Sequence, residues 1–349
     1  MTTQFIKIDG SQGEGGGQVL RTALTLSILT QQNIELCNIR AGRNKTGLLR
    51  QHLTSVLAAQ EICDASVEGV ELSSTHIRFS PGKIKAGNFH FAIGSAGSTV
   101  LVCQTILPVL ALAQSSSTVT FEGGTHNGMS PSLSFLEQSF LPILKRMGID
   151  CHVKTTALGF YPAGGGKWQI SIQPATNFTP IQLTDAGADL AKNISNCSLT
   201  ALVSSLPSSI GQREINTAKK VLNWQDAPSH VQNVITPGPG NSFQLGIDSE
   251  THRTVFEVTG EKGLSAQNVA KRAAGRVNTF IQSQAAVEEH LADQLLLPIA
   301  LAGSGSFTTT KPSLHTLTNI NVIKHILGKE IKLKQLTESL WHVSLLQKT

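Results

Sequence analysis

One succession of segments recurs along the chain and limits the folds open to it: a short strand, a glycine-rich turn, an apolar helix, a second strand and a second helix. In its first occurrence, residues 5–8 alternate as a strand and Ser11-Gln-Gly-Glu-Gly-Gly-Gly-Gln18 runs into a helix expected over 19–29. A strand (34–39), a basic turn (40–45) and a helix (47–62) complete it. The second occurrence reads strand 88–92, loop 94–98, helix 99–113, strand 118–122, loop 123–131 and helix 132–147. The third has an apolar helix (293–302), a strand near 306–310 and a helix after His315. One structural unit used three times is the reading that accounts for all of this. The expected class is α/β, in the α+β sense, with a large domain over 1–182 and 285–349. Residues 183–284 break the repeat. They carry strand-like runs at 196–204, 244–247 and 254–259, a helix ending near 222 and a basic helix over 266–281, which suits a smaller inserted α/β domain.

Aligning the three occurrences on their first helices places polar side chains at matching points of otherwise apolar segments: Arg21, Gln104, and the pair Asp293 and Gln294. A polar group on a buried helix face is unfavourable unless it is paired. Three of them therefore suggest helix starts converging on a common ligand, although each alone also suits a local cap. Asp293 and Gln294, in an expected first turn, would face His315 at the opening of the next helix, so His315 is the first candidate for a nucleophile or base.

The glycine runs at 13–17, 94–98 and 164–166 let backbone N–H groups approach an anion. None is followed by Lys and then Ser or Thr, and the dinucleotide fingerprint is missing as well, so a nucleotide would need another scaffold. Glu14 adds negative charge to the first run, which suits either a divalent cation shared with phosphates or a carboxylate at a helix start. Arg40, Arg43, Lys45 and Arg50, with Gln51, form a basic turn suited to phosphate or simply to solvent. His52, His76 and His126 show no metal-ligand spacing and read as ordinary residues.

The net charge of +5 permits a polyanionic partner. Five scattered cysteines without C-x-x-C spacing argue against a disulfide framework or a cysteine-bound zinc and suit reduced thiols. The N-terminus lacks the pattern of a signal peptide and the most apolar run, 100–113, is short and carries Gln104 and Pro108, so a cytoplasmic protein with no membrane partner is expected.

The motifs GSQGEGGGQVLRTAL, RAGRNKTGLLRQH, GSAGSTVLVCQTILP, GGTHNGMSPS, GFYPAGGG, HLADQLLLPIALAGSG and PSLHTLTNI, in this order, resemble those of the RNA 3′-terminal phosphate cyclases nearly end to end. The resemblance implies three units, each a four-stranded sheet with two helices, akin to enolpyruvyl transferases and to the C-terminal domain of a bacterial translation initiation factor. It also implies a smaller inserted domain. The implied reaction starts when His315 attacks ATP to give a covalent His-AMP. AMP then passes to an RNA 3′-phosphate, and the vicinal 2′-hydroxyl displaces it to close a 2′,3′-cyclic phosphate. By the same likeness, Gln104 and the run His290, Leu291, Ala292, Asp293 and Gln294 bind ATP, with Asp293 and Gln294 as ribose or base contacts. Pro131 and His290 flank the adenine, Arg21, Arg40, Arg43 and Gln51 meet phosphates, and Glu14 helps hold Mg or Mn. Two positions depart from the family pattern: Leu158 stands where a basic residue is usual, and His290 where an aromatic such as Tyr is expected. Two other functions suit the scaffold: a noncatalytic RNA-binding factor in ribosome assembly, for which His315 would be idle, and an enolpyruvyl-type transferase, which has no need of His-AMP. The motifs do not specify an oligomeric state.

Overall fold

The structure is a computed structural model that describes residues 4–184 and 186–346. The expectations placed on residues 1–3, on Asp185 and on 347–349, including the outer ends of the expected domains, lie outside the described residues.

Three four-stranded sheets share one topology. In the first, Ile6–Asp9 pairs in parallel with Ile34–Cys37, which pairs antiparallel with Ile77–Ser80, and that strand with Ser66–Glu68. The second repeats this order with Asn88–Ala92, Ser117–Gly123, Gly166–Ile172 and Cys151–Ala157. The third does so with Gln182–Leu183, Gly305–Thr309, Trp341–Leu345 and Lys332–Gln335. Its first strand precedes the segment that breaks the repeat, and its first helix, Glu289–Ala302, follows that segment. Pairing of Ser306 with Gln182 and of Phe307 with Leu183 therefore closes the third sheet across the interruption.

The strands missed by hydrophobic patterning are short or half-exposed. Gly166–Ile172, left unassigned by the patterning, alternates buried and more accessible positions around Trp168, Ile170 and Ile172. The expected helix over 132–147 is interrupted. Leu133–Phe135 opens it, Leu136–Phe140 forms a wide π turn, and Leu141–Arg146 resumes it. Pro142 lacks the N–H that a regular turn would donate, and the widened turn accommodates it.

One apolar core runs through the three units, with Leu24, Val100, Leu107, Leu295 and Phe307 at its centre. A separate core, including Leu199, Phe243, Phe256 and Phe280, belongs to a fourth sheet ordered Ser229–Asn233, Cys197–Ser204, Gly240–Asp248, Arg253–Thr259, with the helices Ser209–Leu222 and Ala266–Ser283. Its parallel pair lies at one edge, as in the repeated units, but the strand order differs. Among the described residues all five cysteines are free, and burial pushes the Cys151 thiol up to about 12 and that of Cys197 to about 11. No helix among them is long and apolar enough to cross a membrane.

Glu214 in this second core is buried, and one of its oxygens accepts from Asn241 Nδ2 at 3.1 Å while the other has no partner. Burial pushes its carboxyl up from 4.5 to about 7. Because the folded state holds this proton more tightly than the unfolded chain, the contribution to stability is full in acid and is lost as pH rises through 4.5 to about 7. Denaturant titrations at pH 5 and pH 8 should therefore show a loss of stability in the native protein that Glu214→Gln removes; parallel curves for the two proteins would refute this.

Candidate active site

The first helices of the three units, Gln18–Thr30, Thr99–Ala111 and Glu289–Ala302, meet around one cavity lined by Arg21, Gln104, Asp293 and Gln294. The side chains that aligned in sequence thus come together in space. The alignment extends one turn further, since Thr25, Pro108 and Pro298 each follow the polar position by four residues and all line the same cavity. A proline inside a helix leaves the carbonyl four residues before it without its N–H, which frees the carbonyls of Gln104 and Gln294. In the first unit the Thr25 hydroxyl donates instead to the Thr105 carbonyl at 2.7 Å, with the Arg21 carbonyl 3.0 Å away. The Gln104 amide nitrogen is enclosed and has no hydrogen-bond partner among the described residues. An acceptor brought by a ligand would satisfy it.

Asp293 and Gln294 occupy the second turn of their helix, not the first. Glu288 is the cap, accepting from the N–H groups of His290 at 2.9 Å and Leu291 at 2.5 Å. Asp293 is buried; Asn319 Nδ2 donates to its Oδ1 at 3.2 Å and Gln294 Nε2 to its Oδ2 at 3.2 Å. Asn319 in turn accepts from Thr22 at 2.8 Å, tying the first unit to the third. Burial raises the Asp293 carboxyl, against the pull of His315 and Arg21. The side chains of Leu291 and Ala292 lie in the core, so these two residues support the site only as part of the helix that carries it. His290 is exposed, and its Nδ1 lies 2.9 Å from the buried Glu288 carboxylate, which pushes the imidazole up to about 9.

His315 is the second residue of the helix Leu314–Leu327, not a turn residue before it, because Ser313 caps the helix by accepting from Thr316 N–H at 3.2 Å. Its side chain is 51% exposed, and Nδ1 stands 3.7 Å from Oε1 of Glu14, whose side chain is only 5% exposed. Glu14 also pairs with Arg43 and accepts from the Gln18 N–H at 3.3 Å. Burial alone would raise its carboxyl, but His315, Arg43 and the Gln18 N–H together hold it below the ordinary value. The glycine loop is pressed against the histidine's helix. Glu14 N–H donates to Thr318 Oγ1 at 3.0 Å, and Gly13, at φ +61, leaves no room for a side chain beside Thr318.

The basic turn closes over the same place. Burial lowers Arg21 to about 10, opposed by Asp293 and Glu14, and burial together with Arg43 lowers Arg40. His52, buried at the floor, is pushed down to about 3 by burial and by the charges of Arg21 and Arg40. A side chain at Gly17 would stand 2.5 Å from His52 Nε2 and 2.7 Å from Arg21 Nη1. The side-chain Oε1 of Gln51 accepts from Ser98 N–H at 2.9 Å and fixes the second glycine loop. Pro131 is half-buried and precedes Ser132, whose hydroxyl caps the next helix and donates to Glu257 of the fourth sheet. Sequence reasoning missed Asn319, Thr318, Glu288 and His52. The first two could have been found, since they lie one helical turn beyond His315 and share its face.

Among the described residues no group of three or more His, Cys, Asp or Glu side chains forms a cation site. Glu14 is already engaged by Arg43 and faces His315, so a divalent ion beside it would need most of its ligands from outside the protein.

An accessible histidine thus stands 3.7 Å from a largely buried carboxylate, with arginines nearby, at the meeting of three repeated α/β units. The family model for RNA 3′-terminal phosphate cyclase matches residues 12–333. Curated cyclases of that name from Salmonella paratyphi C (46% identical, covering 95% of each chain) and Koribacter versatilis (44% identical, covering 95% of this chain and 92% of that one) are similar over almost their whole length. A third, from Salmonella typhimurium, is 46% identical over 93% of this chain and 94% of its own. The chain belongs to the RNA 3′-terminal phosphate cyclase family.

The Glu288–His290 pair gives a test of the site's electrostatics. A proton NMR titration should place the His290 midpoint near 9, with the charge pair present below that pH and lost as pH rises through it. In Glu288→Gln the midpoint should fall toward the ordinary 6.5, and a midpoint that stayed near 9 would dissociate the two residues.

Proposed function

We propose that this chain converts the 3′-terminal phosphate of RNA to a 2′,3′-cyclic phosphodiester at the cost of ATP, through a covalent adenylate on His315. The observation that carries the reading is the exposed imidazole of His315 with its Nδ1 turned to the Glu14 carboxylate, in a chain of the cyclase family. A neutral imidazole whose Nδ1 proton faces Glu14 keeps its lone pair on Nε2. Nε2 then bonds to the α-phosphorus of ATP as the bond to pyrophosphate breaks, and Glu14 steadies the imidazolium so formed. An oxygen of the RNA 3′-phosphate next attacks that phosphorus and His315 leaves, giving an anhydride. Finally the 2′-hydroxyl loses its proton and attacks the 3′-phosphorus, and AMP departs with the bonding electrons.

In this reading Arg21, Arg40 and Arg43 receive the phosphates, because these crowded cations repel one another until an anion arrives. The unpartnered Gln104 amide and the Asp293–Gln294 pair face the nucleoside in the cavity. The cationic His290 and Pro131 flank the adenine, a site where an imidazolium can stack on a purine much as the usual aromatic would. A divalent ion, Mg or Mn, would share Glu14 with the phosphates and neutralise charge on them. Residues 1–182 and 285–349 then form the catalytic body and 183–284 the inserted unit, with the boundaries moved by one residue because Leu183 belongs to the first core and Ala285 to the second.

Incubation with ATP and a divalent metal should add the mass of one AMP to the protein, in an acid-labile, base-stable form. His315→Ala should abolish the gain and leave the thermal transition within a few degrees of native, since the side chain is half exposed. An adduct that persists in that variant would require another nucleophile. The chemistry at the ribose is tested separately. An RNA with a 2′-O-methyl terminus should accumulate as the 3′-adenylylated anhydride, whereas the unmodified 3′-phosphate RNA becomes phosphatase-resistant and releases AMP. If the unmodified RNA stayed phosphatase-sensitive while the enzyme was adenylylated, the acceptor of AMP would be something else.

A further inference from the structure

The chain's single tyrosine, Tyr161, is 73% exposed, and Met129 is 99% exposed. Both side chains stand out into water. Both loops rest on the same backbone. Gly164 packs so closely that a side chain there would stand 2.9 Å from the Ala96 Cα, and the Ala96 carbonyl accepts from Asn127 Nδ2 at 3.1 Å. Tyr161 and Met129 therefore flank the second glycine loop, 94–98. On its other side that loop meets the basic turn: the Arg50 guanidinium lies 3.4 Å from the position a Cβ would take on Gly94, and Gln51 holds Ser98. Arg50 is exposed and forms no ion pair among the described residues. Arg43, on the same turn, reaches Glu14 and hence His315. Arg50 and the loops that carry Tyr161 and Met129 thus meet the same glycine loop, and Arg43 of the basic turn reaches the Glu14 beside His315.

We infer that this surface docks the single-stranded 3′ end of the RNA, with a base stacked on Tyr161 beside Met129 and a backbone phosphate on Arg50. The inference deepens the proposed function and rests on it for the direction of the strand, whose terminal phosphate points to His315. An alternation of cation and aromatic ring matches the alternation of phosphate and base in a single strand. The glycines of the intervening loop let the strand approach the backbone closely. A protein partner would call instead for a broad apolar centre in place of an alternation of cation and ring.

The test is binding of a 5′-fluorescein single-stranded oligoribonucleotide with a 3′-phosphate, read by anisotropy on the full chain, with ATP-dependent self-labelling measured in parallel. Tyr161→Ala should weaken binding roughly 5- to 100-fold, as expected for loss of one base–aromatic stack. Tyr161→Phe, which keeps the ring, should bind as the native protein does, and Arg50→Ala should weaken binding and lower its salt dependence by about one phosphate contact. Native-like affinity in Tyr161→Ala would overturn the inference and leave the face to another occupant, such as a protein. So would loss of both RNA binding and self-labelling, which would make the ring structural. Tyr161-dependent binding without cyclisation by the native protein would sink the proposed reaction and keep the platform; cyclisation indifferent to Tyr161 would do the reverse.

Discussion

The glycine loop of the first unit can lie against the His315 helix of the third only because Gly13 has no side chain, and the rest of the site depends on that contact. Thr318 fills the space a Cβ would need and accepts the Glu14 N–H, so the loop is joined to the helix one turn beyond the histidine. The same contact points the Glu14 carboxylate at His315 Nδ1 and within reach of Arg43. Distant parts of the chain, residues 13–17 and 313–319, are thereby held as one surface. Loosening the packing would misplace carboxylate, imidazole and arginine together.

Charge at this junction is unevenly balanced. Asp293 is buried and Arg21 half-buried, and each offsets part of the penalty that burial imposes on the other. Around them stand Arg40, Arg43 and a His52 kept neutral, with cations in excess of carboxylates. An excess of positive charge in a partly enclosed site repels itself and favours anions. The unpartnered amide of Gln104 and the carbonyls freed by Pro108 and Pro298 add polar groups that the protein itself does not satisfy. The three repeats contribute alike in position and differently in chemistry: a cation from one, an amide from the next, an acid–amide pair from the last.

The fourth sheet is more than an appended domain, since Glu257 reaches across to Ser132, the helix cap that follows Pro131. His126, fully enclosed, lies 3.7 Å from the same carboxylate and is lowered by burial against that pull. The loop carrying Pro131 is therefore held between two cores. Closure of the third sheet by Gln182–Leu183 places the interruption between a strand and its helix, where chain can leave and return without breaking the apolar core.

The sequence by itself determined the repeat, the class of fold, the family, and the residues that gather at the site, because periodic apolar segments and glycine turns are local properties of the chain. It even set Arg21, Gln104 and Gln294 in register, and the cavity joins them. Only the tertiary structure decided which partners those residues meet. That the Gln51 side-chain oxygen accepts from Ser98 N–H, that Asn319 links Thr22 to Asp293, and that Glu288 caps its helix while charging His290 are contacts made by side chains, most of them to groups distant in sequence. Edge strands such as Ser66–Glu68 and Lys332–Gln335 escaped for the related reason that their pairing comes from neighbours across the sheet and not from their own pattern. Local sequence fixes what a segment can bury, whereas the partner of a buried polar group is fixed only when separate segments pack.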